Sequence, residues 1–314
     1  MDRMSENLWE CVIVGGGAAG LSAALVLGRA RRRVLVLDTG EQSNRHAHGI
    51  GGLLGHDGRA PAELYERAHR ELAAYPSVTL RDVRVATGSA QDGRFVLTAA
   101  DGSSIEAKRV LLAAGMHYAV PALTGAAELW GDTVFHCPYC HGWEVRDRRL
   151  AVLGAMKAVH RALLLRQWSA DVVLLTDGPA ELDADERTRL ERAAIAVDER
   201  PVAGVRSRDG ALAAVLFADG GELARDGLLV PAPLEQRSAL ASDLGAGMTE
   251  RGSVDADAYG RTTVPGLYAA GDLVSPMPQV AGAIADGSRA AAAINDDLLA
   301  EEHDMEPLIP AARA

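Results

Sequence analysis

Cys137-Pro138-Tyr139-Cys140-His141 holds the residues of this sequence best suited to redox or acid–base chemistry. A Cys-x-x-Cys pair in a chain with only one other cysteine, Cys11, reads as catalytic or metal-binding rather than as part of a disulfide scaffold. Thiol–disulfide exchange needs a thiolate, and a free thiol has a pKa near ~8.5. An imidazole with a pKa near ~6.5 can take that proton at neutral pH. Cys137 and Cys140 are therefore the candidate redox pair, and His141 is the candidate base or acid beside them. The plainer alternative for His141 is a polar cap on the cysteine turn. His136 is a weaker candidate that leans to packing, and Tyr139 and Trp143 read as packing around the motif. Cys-Pro-Tyr-Cys also occurs in glutaredoxin-like domains, but there it follows a first strand near a domain start. A zinc half-site needs a second pair, and Cys11 lies in an apolar run that reads as a strand.

Around this motif the chain has the composition of a protein with a buried core, 48% hydrophobic and 24% charged over 314 residues, which suits two domains. A formal net charge of −11 argues against nucleic acid or an anionic membrane as a partner. No run of ~18 apolar residues suggests a membrane helix, and Met1–Glu10 lacks a signal pattern, so a cytoplasmic location is expected. Only Lys108 and Lys157 are lysines among 32 basic residues, a bias that reads as genome composition.

Cys11–Val14 predicts a strand, Gly15-Gly16-Gly17-Ala18-Ala19-Gly20 a glycine turn, Leu21–Arg31 a helix and Arg33–Asp38 a second strand ending in an acid. That is the dinucleotide-binding βαβ unit. Gly15 makes the turn, Gly17 lets the backbone approach a pyrophosphate, and Gly20 packs helix on strand. The helix start offers free N–H groups to the phosphates, and Asp38 offers a carboxylate to a ribose. From Asn44 to His56 runs a glycine-rich loop with His46 and His48, better read as passing near a cofactor than as a metal site. Pro61–Tyr75 predicts an amphipathic helix, and Arg109–Gly115 a buried strand with a small-residue end. A second βα pattern runs from Leu150 to Thr176, but Gly154-x-Met156-x-x-Val159 is a degraded glycine motif. Asp183 is a possible N-cap for a charged helix, hairpin-like strands occupy roughly 202–230, and Gln279–Asn295 predicts an Ala-rich helix. The tail from Asp304, with two prolines, reads as an arm or as loosely ordered.

Taken together, the first βαβ unit, the Ala113-Ala114-Gly115 strand end, the inserted βα unit behind a Cys-x-x-Cys and Pro265-Gly266-Leu267-Tyr268-Ala269-Ala270-Gly271-Asp272 resemble the small thioredoxin-reductase group of flavin disulfide reductases. The resemblance spans about residues 10 to 300. It implies an α/β fold of two Rossmann-like three-layer nucleotide-binding domains, the second inserted in the first. The FAD domain would comprise 1–118 and 253–314, and the inserted domain 119–252. By matching positions, Gly15, Gly17, Ala18, Ala19, Gly20 and Asp38 would hold the FAD pyrophosphate and ribose. Ser43, Asn44 and Arg45 would line the cofactor loop, and Val83 the adenine. Ala114, Gly115, Gly271 and Asp272 would reach the middle of the cofactor, and Gln279 and Val280 the pyrimidine end. No metal is implied, and a homodimer is.

Two departures narrow the resemblance. His141 stands where ordinary thioredoxin reductases have an acid. Thr176-Asp177-Gly178 stands where an NADPH enzyme places arginines on the 2′-phosphate, and Met156 and Val159 disturb the glycine motif, so NADPH binding is doubtful. Both departures are similar to the FAD-dependent dithiol oxidases of gliotoxin, holomycin and romidepsin biosynthesis, most nearly the bacterial holomycin-type members. The resemblance implies oxidation of a small-molecule dithiol to an intramolecular disulfide, with Cys137 as the outer sulfur, Cys140 facing the flavin, and O2 reduced to H2O2. A thioredoxin-disulfide reductase using NADPH or another donor is the alternative, and a non-enzymatic flavin sensor is a third.

Overall fold

The computed structural model describes residues 8–91, 93–154 and 157–310. The chain divides into two compact units, one made of Met1–Arg45, Pro61–His117 and Leu234–Ala314, the other of His46–Ala60 and Tyr118–Pro233. The expected inserted segment, 119–252, ends earlier, because Leu240 and Leu244 pack against Gly88 in the first unit. The loop 46–60, expected with the cofactor domain, groups with the second unit.

In the first unit, β1 (Leu8–Val14), α1 (Ala18–Arg29) and β2 (Val34–Asp38) form the βαβ unit read from the sequence. Cys11–Val14 of β1 and Val34–Leu37 of β2 are unbroken apolar runs because both faces of a parallel sheet are covered. Helix α2 (Pro61–Leu72) leads to β3 (Val78–Asp82), and an antiparallel meander comes next: β4 (Val85–Gln91), β5 (Arg94–Ala99) and β6 (Ser104–Leu112). The sheet order is β3-β2-β1-β6-β5-β4. One edge of β6 serves two partners. Ser104–Ala107 pairs with β5, and Val110–Leu112 pairs in parallel with Leu267–Ala269.

The carboxy-terminal helix runs from Val280 to His303, eight residues beyond the expected Asn295. Its buried Ala290, Ala291, Ala293 and Ile294 join the core cluster of α1. Small residues let the two helices close to backbone contact: a Cβ at Gly287 would stand 2.0 Å from the Ala19 carbonyl oxygen. The tail is pinned to this helix rather than loose, with the Ile309 N–H donating to Asp296 at 2.7 Å and Arg261 donating to the Ile309 carbonyl at 2.9 Å.

The second unit holds a five-stranded parallel sheet in the order 196–198, 172–175, 150–153, 227–229, 134–135. One face carries α4 (Ala158–Leu165) and α5 (Ala184–Arg192), packed with Phe135, Leu150, Val152 and Leu174, while the single-turn helix α3 (Pro138–His141) succeeds strand 134–135. The other face carries the antiparallel strands Val202–Arg208, Ala211–Phe217 and Glu222–Ala224 through Val205, Leu212, Val215 and Phe217. The last of the expected hairpin strands, Gly227–Leu229, instead joins the parallel sheet. Asp183 caps α5 in a reciprocal box, accepting from the Glu186 N–H at 2.7 Å while Glu186 accepts from the Asp183 N–H at 3.2 Å. No helix among the described residues is long and apolar enough to cross a membrane.

The close contact at Gly287 makes two glycines of one helix respond differently to a methyl group. Gly287→Ala should lower stability by about 1–3 kcal/mol through overpacking against the Ala19 backbone. Gly282→Ala, on the same helix with nothing within 4 Å of the added methyl, should be neutral or stabilising by up to ~1 kcal/mol. Urea midpoints of the two variants check this; equal shifts would contradict it.

Candidate functional site

The first unit gathers its expected cofactor residues at the carboxyl ends of its parallel strands. Val14, Leu112 and Ala269 lie level across the sheet, and the segments starting at Gly15, Ala113 and Ala270 leave together. Gly15 has φ +108°, and a Cβ there would lie 2.3 Å from the Ala113 carbonyl oxygen. A Cβ on Gly20 would lie 1.9 Å from the Gly15 carbonyl oxygen. Gly17, by contrast, faces open space with its nearest atom at 3.9 Å. It is the N-cap of α1 and supplies no side-chain cap, so the first-turn N–H groups at Ala18 and Ala19 stay available. The backbone is thus tight where turn and helix pack, and open where a phosphate needs to approach, which fits a pyrophosphate.

Asp38 sits at the end of β2, as the motif requires. Its Oδ1 accepts from the Gly16 N–H at 2.9 Å and its Oδ2 from the Gln42 amide at 3.0 Å, and Val83 is held beside it by its N–H donating to the Asp38 carbonyl at 3.0 Å. Asn44 accepts from the Tyr65 hydroxyl at 2.9 Å, and Arg45 donates to the Gly40 carbonyl. Burial pushes the Tyr65 phenol up to about 12, and Asp272 and Asp38 act on it in the same direction, so Asn44, Asp38 and Asp272 share one neighbourhood. Ser43 lies in the same turn. Gly271 packs against Ala19 and Ala283, bringing Asp272 to α1, while Gln279 is the N-cap of the helix that begins at Val280. Ala114 and Gly115, the latter at φ +66°, leave β6 toward the same end. Gln42 and Tyr65 were not legible as site residues, because they act on other side chains rather than through a motif.

In the second unit Cys137 and Cys140 form a disulfide with Cα atoms 5.3 Å apart, while Cys11 is buried in β1 with its thiol pushed up to about 12 by burial. Cys137 is the extended N-cap of α3 and Pro138 its first residue, where a missing N–H costs nothing. The turn is closed by Cys140 and His141 N–H groups donating to the Cys137 carbonyl at 3.2 Å each. Only glycine fits after His141: a Cβ at Gly142 would stand 2.5 Å from the Pro138 carbonyl oxygen and 2.8 Å from the Trp168 ring. The loop 46–60 lies on this turn, since a Cβ at Gly51 would be 2.9 Å from the Cys140 carbonyl oxygen. The loop therefore accompanies the cysteines, where the sequence suggested a cofactor.

His141 stacks on Phe135 with ring centres 5.8 Å apart, and its Nε2 is 3.0 Å from the Gly131 carbonyl oxygen. A carbonyl only accepts, so Nε2 carries the hydrogen and the neutral ring keeps its lone pair on Nδ1. That Nδ1 is buried and makes no hydrogen bond of good geometry among the described residues, while the Cys137 carbonyl also acts on the ring in favour of its protonated form. Burial lowers the His141 pKa, against opposing contributions from the Gly131 carbonyl and Glu144, so the ring is a neutral base at pH 7. Gly131, at φ +82°, aims the carbonyl. His136 is different. Its ring lies between Tyr118 and Trp130, with centres at 4.7 and 5.5 Å, and burial first, then the charges of His141 and Arg161, lower it to about 4. It packs, as read from the sequence. Tyr139 and Trp143 do not pack fully: they are 55% and 64% exposed, Tyr139 edge-on to Trp168 and Trp143 under the Arg146 guanidinium.

At the degraded second motif, Met156 lies outside the described residues. Val159 is buried in the core, and Lys157 is the N-cap of α4 at φ +56°. Asp177 accepts from the Val202 N–H at 2.7 Å, and nearby Arg200 is held by Asp198 at 2.6 Å. His48 is 82% exposed and 3.6 Å from Asp132, and among the described residues no group of His, Cys, Asp and Glu is arranged to hold a metal.

A parallel-sheet nucleotide unit with a glycine cradle, together with a second unit that carries a Cys-x-x-Cys disulfide, defines a disulfide oxidoreductase. The chain belongs to the pyridine nucleotide-disulphide oxidoreductase family, whose model matches residues 9–287. It is 31% identical to thioredoxin reductase tcpT of Claviceps purpurea over 321 residues, covering 98% of this chain and 99% of the relative. The crystal structure of HlmI superposes with a TM-score of 0.90 at 37% identity, covering 95% of each chain, and that of the oxidoreductase from Agrobacterium tumefaciens with 0.88 at 35%, covering 93% of this chain and 98% of that one. The protein is thus a thioredoxin-reductase-like flavoprotein enzyme, as the resemblance implied, and the family implies FAD.

The burial of His136 sets an acid dependence. Its folded pKa of about 4 lies below the unfolded value of ~6.5, so between those values the unfolded chain takes up a proton that the fold refuses. Stability should be unaffected above pH 6.5 and fall as pH drops toward 4, by on the order of 2–3 kcal/mol. Urea midpoints at pH 7 and pH 4.5 should drop less in His136→Gln than in the wild type; an equal drop would refute the assignment.

Proposed function

We propose that the protein oxidises a small-molecule dithiol to an intramolecular disulfide, using the Cys137–Cys140 disulfide as the first oxidant. The observation that carries this reading is the disulfide followed by a buried imidazole, held neutral at pH 7 by burial, whose Nδ1 makes no hydrogen bond among the described residues. His141 Nδ1 takes a proton from the substrate thiol. The substrate thiolate then attacks Cys137, forming a mixed disulfide and leaving the thiolate on Cys140. The substrate's second thiol attacks the mixed disulfide, releasing the cyclic product and the Cys137 thiol. FAD, which Gly15, Gly17, Gly20 and Asp38 would hold, would supply the two-electron acceptor for the reduced pair and its route to O2, with H2O2 as the product. The dithiol and O2 are the partners of this reaction, and a homodimer is the assembly we propose.

An acidic residue in the place of His141 would leave a weaker base, so a histidine suits the direction in which the substrate dithiol is deprotonated. At the second nucleotide site, Asp177 and the engaged Arg200 offer no cation to a 2′-phosphate, which supports a reaction without NADPH. The names of the relatives favour a second reading, a thioredoxin-disulfide reductase.

With purified protein and a reduced cyclisable dithiol in air, oxygen uptake should yield one H2O2 per disulfide. Cys137→Ser and Cys140→Ser should abolish it, and His141→Ala should slow it by about 10²-fold or more. Under anaerobic conditions the dithiol should bleach the flavin rapidly and NADPH should not. Fast bleaching by NADPH with no dithiol-driven oxygen uptake would establish the reductase instead.

A further inference from the structure

Tyr65 does two things, and packing accounts for only one of them. Its ring is 8% exposed and belongs to the core cluster of α1, with Leu21, Ala24 and Leu72. Its hydroxyl leaves that core and donates to Asn44 Oδ1 at 2.9 Å. Burial pushes the phenol up to about 12, so the hydroxyl keeps its proton through the neutral range and stays a donor. A phenylalanine would fill the same core position, so the hydroxyl serves Asn44.

Asn44 stands in a turn that is fixed to the glycine cradle from its other end. The Arg45 N–H donates to the Gln42 carbonyl at 3.2 Å and closes residues 42–45 into one turn. The Gln42 amide nitrogen donates to the Gly16 carbonyl at 3.2 Å and to Asp38 Oδ2 at 3.0 Å. Gln42 Cγ is also the nearest atom to the open face of Gly17, 3.9 Å from where a Cβ would stand. The turn is therefore anchored at Gln42 beside the phosphate approach, and at Asn44 on α2. The second anchor falls where the backbone needs one. The chain leaves the first unit after Arg45 and returns to it at Pro61. The bond from Tyr65 to Asn44 closes the base of that excursion.

The direction of this bond decides what Asn44 can offer. A carboxamide carries an acceptor oxygen and a donor nitrogen. With Oδ1 engaged by Tyr65, Nδ2 and its two hydrogens are presented on the other side of the amide. The charged groups of the neighbourhood are Asp272, Asp38 and Arg45. The two carboxylates only accept, which suits the hydroxyl groups of FAD, and Arg45 is turned to the Gly40 carbonyl. The phosphate oxygens and flavin carbonyls of FAD are acceptors and need a donor, which the Asn44 amide supplies. We infer that Tyr65 is a positioning residue for FAD: its hydroxyl fixes the Asn44 amide so that Nδ2 donates to an acceptor atom of the cofactor. This rests on FAD being held by the first unit, but not on the dithiol, the cysteine pair or O2.

The test is the Kd for FAD, read from the fluorescence of flavin released when the holoenzyme is diluted. Tyr65→Phe keeps the ring and removes the hydroxyl, and should raise the Kd about threefold to tenfold. Asn44→Asp still accepts from Tyr65 but has no donor, and should raise it about tenfold or more. In an Asn44→Ala background, adding Tyr65→Phe should change the Kd by less than about twofold, because the hydroxyl acts through the amide. Urea midpoints in excess FAD should show all the variants folded. A tyrosine that only supports the fold would weaken FAD by the same factor in both backgrounds, and that result would overturn the inference. A wild-type Kd in Tyr65→Phe or in Asn44→Asp would overturn it too. Failure of dithiol-driven oxygen uptake in the wild type would overturn the oxidase reading alone, since release of FAD needs no dithiol substrate.

Discussion

Val14, Leu112 and Ala269 pair in parallel register, and the place where these strands stop decides what the first unit can bind. Because they end level, the glycine turn after β1, the small residues after β6 and the Gly271–Asp272 turn emerge side by side. The turn is then compressed until side chains are excluded at Gly15 and Gly20, while Gly17 keeps open space in front of it. The difference between these glycines is physical. Two are glycine because backbone atoms occupy the place of a Cβ, and one is glycine facing open space. Close approach of the carboxy-terminal helix at Gly287 holds α1 from behind, so the same small-residue economy fixes the helix whose N-terminus faces that space.

The second unit has the same sheet logic and a different chemistry. Its strand ends carry no comparable cradle among the described residues: Lys157 caps α4 in a left-handed conformation, and the carboxylate of Asp177 accepts from the Val202 N–H. The neighbouring strand 134–135 leads directly into the cysteine turn. Low polarity governs the protonation states around that turn. It keeps His136 and His141 neutral, and it makes the Gly131 carbonyl decisive, because one directed hydrogen bond to Nε2 leaves the lone pair on the other nitrogen.

Much of this was legible in the sequence where a motif reports a backbone demand. Gly15, Gly17, Gly20 and Asp38 could be placed because strand, turn and helix need those residue types at those spacings, and Cys137, Cys140 and His141 because their chemistry is in their side chains. The loop 46–60 groups with the second unit rather than the first, since a glycine-rich run states that a backbone approaches something without stating what; here it meets the Cys140 backbone. The domain boundary moved for a similar reason. Nothing in residues 234–252 marks them as distinct, and it is Leu240 and Leu244 against Gly88 that assign them to the first unit. Gly131 and Gln42 were invisible because each acts on another residue across the fold, and no local pattern carries that information.

A histidine beside the cysteines bears on one question, the cost of separating a proton from a thiol in a partly buried turn. A carboxylate next to the cysteines has low proton affinity and adds a charge that repels the thiolate. A neutral imidazole accepts the proton with a higher affinity and becomes a cation at the moment the thiolate forms, so the two charges created together attract each other. Burial that lowers the His141 pKa works against this, and the Gly131 carbonyl and Glu144 work for it, since both favour the protonated ring. Glu144 therefore has two opposed effects, stabilising the imidazolium while disfavouring the thiolate.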